Sequence, residues 1–113
     1  MKFYIATRFS NEEYRQMALD IKSKLEKLGH QMTFDWMNGE SVKPYNSNPD
    51  KTAKTAKLAL DGAKEADFFI LIAEPNGTGM YVEYGAALAE FERTGSPKIF
   101  VLGEEKYCTL FNF

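Results

Sequence analysis

The order of apolar and polar residues along the 113-residue chain predicts four strands. Apolar runs at 3–7, 68–73 and 98–102 have the length and continuity of strands in a parallel sheet, and the run at 68–73 is of the kind buried on both faces. Apolar and polar residues alternate over 32–36, which predicts a further strand with one buried face. The chain therefore has enough short strands for a small sheet.

The segments between these strands follow the helical period of 3.6 residues. A first helix is predicted to begin at Ser10, because Ser10 and Glu13 form a capping-box pattern, and to end before Gly29. A second helix is predicted over 50–65. A third is predicted after the Gly-rich turn at 75–79, ending near Arg93 with Gly95 as its C-terminal cap. The residues expected on the buried side of the second helix are Ala53, Ala56, Leu60 and Ala63.

Strands that alternate with helices predict an α/β fold of the flavodoxin-like or Rossmann-like kind. Its three layers would be a parallel sheet of four to five strands with helices on both faces, all in one domain over residues 1–113. Ligands of such folds bind where the strand order reverses, which in a flavodoxin-like order lies between the first and third strands. The loops at 7–10 and 74–81 would flank that crevice. The long polar loop at 37–50 is expected to act as a lid.

Composition narrows the possible partners. The net charge of −2 argues against binding a nucleic acid polymer, and no apolar run is long enough to cross a membrane. The only cysteine is Cys108, which cannot form an internal disulfide, so a cytoplasmic location is expected. With one histidine and one cysteine, a zinc site is not predicted, and no cofactor is expected. A small molecule is the expected ligand.

The Gly-rich turn around Gly77 and Gly79 follows a buried strand and opens a helix, so its backbone can approach a ligand closely. It lacks the third glycine of the dinucleotide fingerprint and the Gly-Lys-Ser/Thr of a P-loop. Glu83 is expected in the first turn of the following helix, where the helix dipole stabilises an acid. The residues alone leave open whether Glu83 is a solvated acid or a functional carboxylate.

The stretch at 77–88, Gly-Thr-Gly-Met-Tyr-Val-Glu-Tyr-Gly-Ala-Ala-Leu, resembles the nucleoside 2-deoxyribosyltransferase family, which includes related nucleotide N-glycosidases. In that family a Gly-rich turn leads into a helix opening Glu-x-Gly-x-Ala. The segments 65–72 and 3–6 resemble its third and first strands. The resemblance implies that Glu83 attacks the anomeric carbon of a nucleoside or nucleotide, with Tyr4 close to it. Transfer or hydrolysis at the N-glycosidic bond would pass through a covalent glycosyl-Glu83 intermediate.

Two acids of the family pattern are absent. In the family, the proton donor lies eight positions before the residue that Asp67 matches. In this chain that position is occupied by Ala59. Asp61 is the nearest acid, and it is either the donor, on a shifted helix, or a solvated helix residue. The family's acid within the Gly-rich turn is also missing. A non-catalytic module that binds a nucleotide or nucleotide-derived signal, or an NAD-cleaving glycohydrolase, therefore remains an alternative.

The remaining candidates are substrate-binding residues near the predicted crevice. Arg8 could hold a phosphate or orient Glu83, or be a plain surface arginine. Trp36 could stack on a base or be a half-buried core residue, and Met80 could wall the base pocket. The full set of predicted binding residues is Ala6, Arg8, Phe9, Asp35, Trp36, Asn76, Gly77, Gly79 and Met80.

The end of the chain predicts self-association. Leu110, Phe111 and Phe113 would form an apolar patch if they were left in water, and such patches mark interfaces. The sheet is also expected to lack cover on one edge or face. A homo-oligomer is the expected state.

Overall fold

The computed structural model describes residues 1–38 and 47–107. Within them, four strands form one parallel sheet in the order β2-β1-β3-β4. The strands are β1 (Lys2–Ala6), β2 (Gln31–Met32), β3 (Phe68–Ile72) and β4 (Lys98–Leu102). The α/β class and the flavodoxin-like layout predicted from the sequence are confirmed. Most of the predicted lid, 39–46, and the apolar tail, 108–113, lie outside the described residues.

The second strand is shorter than predicted. Instead of continuing over 32–36, regular pairing ends at Met32 and the chain bends into a 3-10 turn at Trp36–Asn38. The Thr33 hydroxyl donates to the carbonyl oxygen of Gly62 at 2.7 Å, and the Trp36 indole N–H donates to the carbonyl oxygen of Ile5 at 2.8 Å. These bonds to neighbouring elements replace further strand pairing.

Three helices complete the described fold: α1 (Glu12–Lys27), α2 (Pro49–Glu65) and α3 (Gly79–Thr94). The predicted cap of α1 at Ser10 is wrong by one residue. Asn11 is the cap, because its side-chain oxygen accepts from the backbone N–H groups of Glu13 at 3.0 Å and Tyr14 at 3.3 Å. α3 ends at Gly95 in the left-handed conformation, φ +84°, as the capping glycine predicted.

The helices lie on both faces of the sheet, and alternate residues of the strands face each side. Phe3, Ile5, Ile70 and Ile72 pack on the side of α1 together with Ala18. The other side, covered by α2 and α3, contains Tyr4, Ala6, Ala63, Phe69, Leu71, Tyr84 and Ala87. Ala53 and Ala56 were expected on the buried side of α2 and are exposed, because the helix turns Ala59, Gly62 and Ala63 towards the sheet.

Gly62 sets how closely α2 approaches the sheet. A Cβ atom at this position would lie 3.0 Å from the Phe34 Cβ, 3.0 Å from the Thr33 Oγ1 and 3.2 Å from the Tyr4 Cδ2. The missing side chain lets the helix backbone rest against Tyr4 and the end of β2. The position of the Tyr4 ring is therefore fixed by close packing.

Among the residues described, no helix combines the length and the apolar character that crossing a membrane requires.

Candidate functional site

Tyr4 and Glu83 meet where the strand order reverses, as the resemblance implied. Tyr4 lies on β1, and Glu83 is the fifth residue of α3, so it begins the second helical turn rather than lying in the first as predicted. The Tyr4 hydroxyl donates to the Glu83 Oε2. The two residues are 79 positions apart in the sequence, so this pair exists only in the folded protein.

The Tyr4 ring is held in a stack of three aromatic rings. Its centroid lies 5.7 Å from that of Phe69 at an interplanar angle of 10°, and Phe69 lies 6.2 Å from Tyr84 at 23°. Tyr4 is almost completely buried. Burial, with the Glu83 carboxylate beside it, raises the pKa of Tyr4 far above its ordinary value. Tyr4 therefore remains a hydrogen-bond donor to Glu83 across the physiological pH range.

The protonation of Glu83 is poised near neutrality. Burial raises the pKa of Glu83 from 4.5 to about 7, and the hydrogen bond from Tyr4 opposes that rise because it stabilises the carboxylate. The Glu83 side chain is only half-buried and can still be reached from two cavities. A carboxyl group with this pKa can act as a nucleophile when ionised and can hold a proton at slightly lower pH.

One of the two cavities, here called the polar cavity, has a volume of about 340 Å³. It lies between the loop after β1 and the Gly-rich turn, which are the two loops that the fold class predicted. Six predicted site residues line it beside Glu83, namely Arg8, Phe9, Asn76, Gly77, Gly79 and Met80. Thr7, Ser10 and Thr78 also line it; they lie within these two loops but were not predicted as binding residues.

The second cavity, here called the apolar cavity, has a volume of about 360 Å³ and lies between α2 and α3. Its lining residues are Thr52, Thr55, Ala56, Ala59, Leu60, Gly79, Val82 and Glu83. Ala56 and Leu60 of this wall were predicted to face the core, since apolar residues at helical spacing are typical of a packed face. The position matched to the family's proton donor, Ala59, is in this wall and contributes no acid.

Glu74 is a residue of the site region that the sequence analysis missed. It follows β3 directly and is almost completely buried, with one carboxylate oxygen 3.8 Å from the Arg8 Nη1. The Tyr81 hydroxyl donates to the Glu74 backbone carbonyl at 3.0 Å. An acid at the end of an apolar strand, beside the predicted crevice, was the signal available in the sequence.

The structure does not bring the other predicted residues into these cavities. Asp61 forms ion pairs on the surface of α2 with Lys57 at 2.7 Å and Lys64 at 3.8 Å, and the hydrogen bond from Lys57 lowers the pKa of Asp61. This arrangement favours the interpretation of Asp61 as a solvated helix residue. Ala6 is buried in β1.

Asp35 and Trp36 are half-buried residues of the segment after β2, and they line neither cavity. Asp35 is 3.1 Å from the Lys22 Nζ of α1. The Trp36 ring packs edge-on against Phe9 with centroids 5.0 Å apart, and its N–H is bonded to β1. Trp36 therefore supports Phe9, which lines the polar cavity, and is itself a core residue.

Within the described residues, His, Cys, Asp and Glu side chains form no group of three or more that could hold a metal ion.

No family model and no curated protein matches the chain. Among solved structures, the chain is similar to the CMP N-glycosidase BcmB of Clostridium botulinum, with a TM-score of 0.64 and 23% sequence identity. The similarity covers 99% of this chain and 78% of that chain. The chain thus shares the fold of a nucleotide N-glycosidase, which confirms at the level of the fold the resemblance found around Glu83.

Proposed function

We propose that the protein cleaves the N-glycosidic bond of a nucleoside or nucleotide with Glu83 as the nucleophile. One observation carries the proposal: the Glu83 carboxylate, held by Tyr4, is shared by the polar and the apolar cavity. The fold shared with a CMP N-glycosidase supports it.

The two cavities differ in the same way as the two halves of a nucleoside. The polar cavity offers the side chains of Arg8, Ser10 and Asn76 and the backbone of the Gly-rich turn, which suit the hydroxyl groups of a sugar. The apolar cavity is walled by residues such as Ala56, Leu60 and Val82, which suit the face of a base. A nucleoside that spans both cavities would place its anomeric carbon at Glu83.

The reaction follows from the chemistry of a half-buried carboxylate. The free Glu83 oxygen attacks the anomeric carbon, the C–N bond breaks, and its electron pair goes to the departing base. Tyr4 donates to the other oxygen, which fixes the carboxylate and favours its ionised form. Attack of water on the glycosyl ester would complete hydrolysis, and attack of a second base would complete transfer.

A second function is favoured by one feature of the apolar cavity. Among its described lining residues, Glu83 is the only acid, because Ala59 stands where the resembled family has its proton donor. A base that needs a proton in order to leave would not receive it from this wall. Binding of a nucleotide without cleavage is therefore the alternative function.

Release of free base is the test of the proposal. The protein would be incubated with nucleosides, deoxynucleosides, their 5′-monophosphates and NAD, and free base would be separated by chromatography. We expect Glu83→Gln to reduce release of base at least about 10³-fold, because the amide is not a nucleophile. Glu90→Gln is the matched control, since Glu90 lies on the same helix and pairs with Arg93 outside the two cavities.

The outcomes separate the candidate functions. Base released from nucleosides or monophosphates by the wild type and Glu90→Gln, and lost in Glu83→Gln, supports the proposal. Release of nicotinamide from NAD alone identifies an NAD glycohydrolase. Binding of these compounds without release of any base identifies a binding module. Equal release by the wild type and Glu83→Gln contradicts the role of Glu83.

We further propose that the protein is a homo-oligomer. Among the described residues β4 is an edge strand of the sheet. Its Phe100 and Leu102 side chains, 52% and 39% exposed, lie on the sheet face that carries α1. Exposed apolar side chains on a sheet edge are typical of an interface. The cytoplasmic location expected from Cys108 also remains a proposal.

A further inference from the structure

Glu74 is a buried acid that the proposed reaction does not use. Its side chain is 2% exposed, and its Oε2 lies 3.8 Å from the Arg8 Nη1. Its other oxygen, Oε1, is buried and has no hydrogen-bond partner among the described residues. Burying a carboxylate oxygen without a hydrogen-bond partner costs folding free energy. This cost points to a functional role for Glu74.

The free oxygen lies directly behind the Gly-rich turn. A Cβ atom placed on Gly77 would be 2.8 Å from the Glu74 Oε1. Gly77 itself lines the polar cavity. The Met80 side chain packs against the same point, with its Sδ 2.7 Å from that Cβ position, and Met80 also lines the cavity. The Glu74 carboxylate therefore lies next to the cavity wall that Gly77 and Met80 form, and a side chain at position 77 would collide with it.

The charges around the polar cavity are consequently unfavourable to an anion. Arg8 is the only cationic side chain among the described lining residues, and its charge is offset by Glu74. Glu83, which also lines the cavity, adds a second carboxyl group. A phosphate monoester carries a charge of about −1.5 to −2 at neutral pH. Because buried charges are poorly screened, the Glu74 carboxylate repels a phosphate group in the polar cavity. A neutral hydroxyl group in the same place meets no such repulsion.

We propose that Glu74 is a specificity-determining residue that makes the polar cavity select a sugar hydroxyl over a sugar phosphate. It acts by compensating the charge of Arg8 from behind the Gly-rich turn. The inference rests on the proposed function in one respect, namely that the polar cavity holds the sugar. It assigns to this chain a preference for the unphosphorylated nucleoside, although the CMP N-glycosidase that shares its fold is named for a nucleotide.

Binding measurements test the inference without any need for turnover. Dissociation constants would be measured by titration calorimetry for two matched pairs, cytidine with CMP and thymidine with thymidine 5′-monophosphate. The quantity compared is the Kd of the monophosphate divided by the Kd of its nucleoside. We expect this ratio to be above one in the wild type and to fall about tenfold in Glu74→Gln, because one negative charge is removed and Arg8 is freed.

A double-mutant cycle separates this charge effect from a structural one. Arg8→Gln should raise the ratio, since it leaves the Glu74 carboxylate uncompensated, and the double variant should return to within about threefold of the wild type. Glu90→Gln changes the net charge by the same amount outside the cavity and should leave the ratio unchanged. If Glu74→Gln fails to fold, the rise of the ratio in Arg8→Gln still tests the inference.

Several results would overturn the inference. One is tighter binding of the monophosphate than of the nucleoside by the wild type. Another is a Kd ratio that is unchanged in both single variants. A third is that Glu74→Gln weakens the binding of nucleoside and monophosphate equally. Absence of binding of all four compounds to the wild type and to both single variants would overturn it as well. Failure of the proposed function looks different, because these ratios would then follow the expected pattern while no free base is released.

Discussion

Replacing Glu83 with glutamine should make the protein more stable at neutral and alkaline pH. The folded protein holds this carboxyl group at a pKa of about 7, against an ordinary value of 4.5, because burial penalises its charge. Between these two values the folded state binds more protons than the unfolded state. The free energy of unfolding therefore falls as the pH rises through this window.

The size of the effect follows from the two pKa values. They differ by about 2.5, and each pKa unit corresponds to about 1.4 kcal/mol, so full ionisation of Glu83 costs at most about 3.5 kcal/mol of stability. In Glu83→Gln this cost is absent, and the amide oxygen can still accept the hydrogen bond from Tyr4. We expect the variant to be more stable than the wild type by about 1 kcal/mol at pH 5 and by about 3 kcal/mol at pH 8.

Urea denaturation at a series of pH values, followed by circular dichroism, measures this difference. Glu90→Gln provides a control of opposite sign, because the hydrogen bond and charge of Arg93 lower the pKa of Glu90 and its ionised form is favoured. That variant should gain no stability at pH 8. A gain in Glu83→Gln that does not grow between pH 5 and pH 8 would refute the assignment of a buried, raised-pKa carboxylate at this position.

Three further predictions test the site and the surface. Tyr4→Phe removes the hydrogen bond that lowers the pKa of Glu83. The midpoint of the pH profile of kcat/KM should therefore rise by about one pH unit, with a larger loss of activity at pH 6 than at pH 9. An unchanged midpoint would contradict the pairing of Tyr4 with Glu83. Gly62→Ala should lower the free energy of unfolding, measured by urea denaturation, by about 1 kcal/mol because its Cβ would lie 3.0 Å from other atoms. Gly85→Ala is the control: its Cβ would have no atom within 4 Å, so it should raise the free energy of unfolding by about 0.5–1 kcal/mol. Light scattering should give a multiple of 12.9 kDa that decreases in Phe100→Ser, and a wild-type mass of 12.9 kDa would show a monomer.

The parts of the fold that the sequence predicted correctly are those that local signals determine. The apolar run at 68–73 predicts β3, and Gly95 predicts the end of α3. Both signals are local, because strand length and helix capping depend on neighbouring residues. Gly77 was found because a Gly-rich turn after a buried strand lies at the crevice of an α/β sheet. Glu83 was singled out by the resemblance of the stretch at 77–88 to a known family, since the residues alone left its role open.

The parts that were missed depend on partners far away in the sequence. The alternation over 32–36 is typical of a strand. The hydrogen bonds from Thr33 to the Gly62 carbonyl and from Trp36 to the Ile5 carbonyl show why the strand ends early. Glu74 resembles an ordinary solvated acid until Arg8, 66 positions earlier, is seen beside it. Likewise, the spacing of Ala56 and Leu60 does not tell a buried helix face from the wall of a cavity.

The place of the single tryptophan has a practical consequence for studying this protein. Trp36 is the only indole in the chain, and its ring touches Phe9, whose side chain lines the polar cavity. A ligand that shifts Phe9 changes the surroundings of this one fluorophore and hence its emission. The native chain therefore carries an intrinsic optical reporter beneath its candidate site, and occupancy can be followed in stopped-flow experiments without attaching a dye.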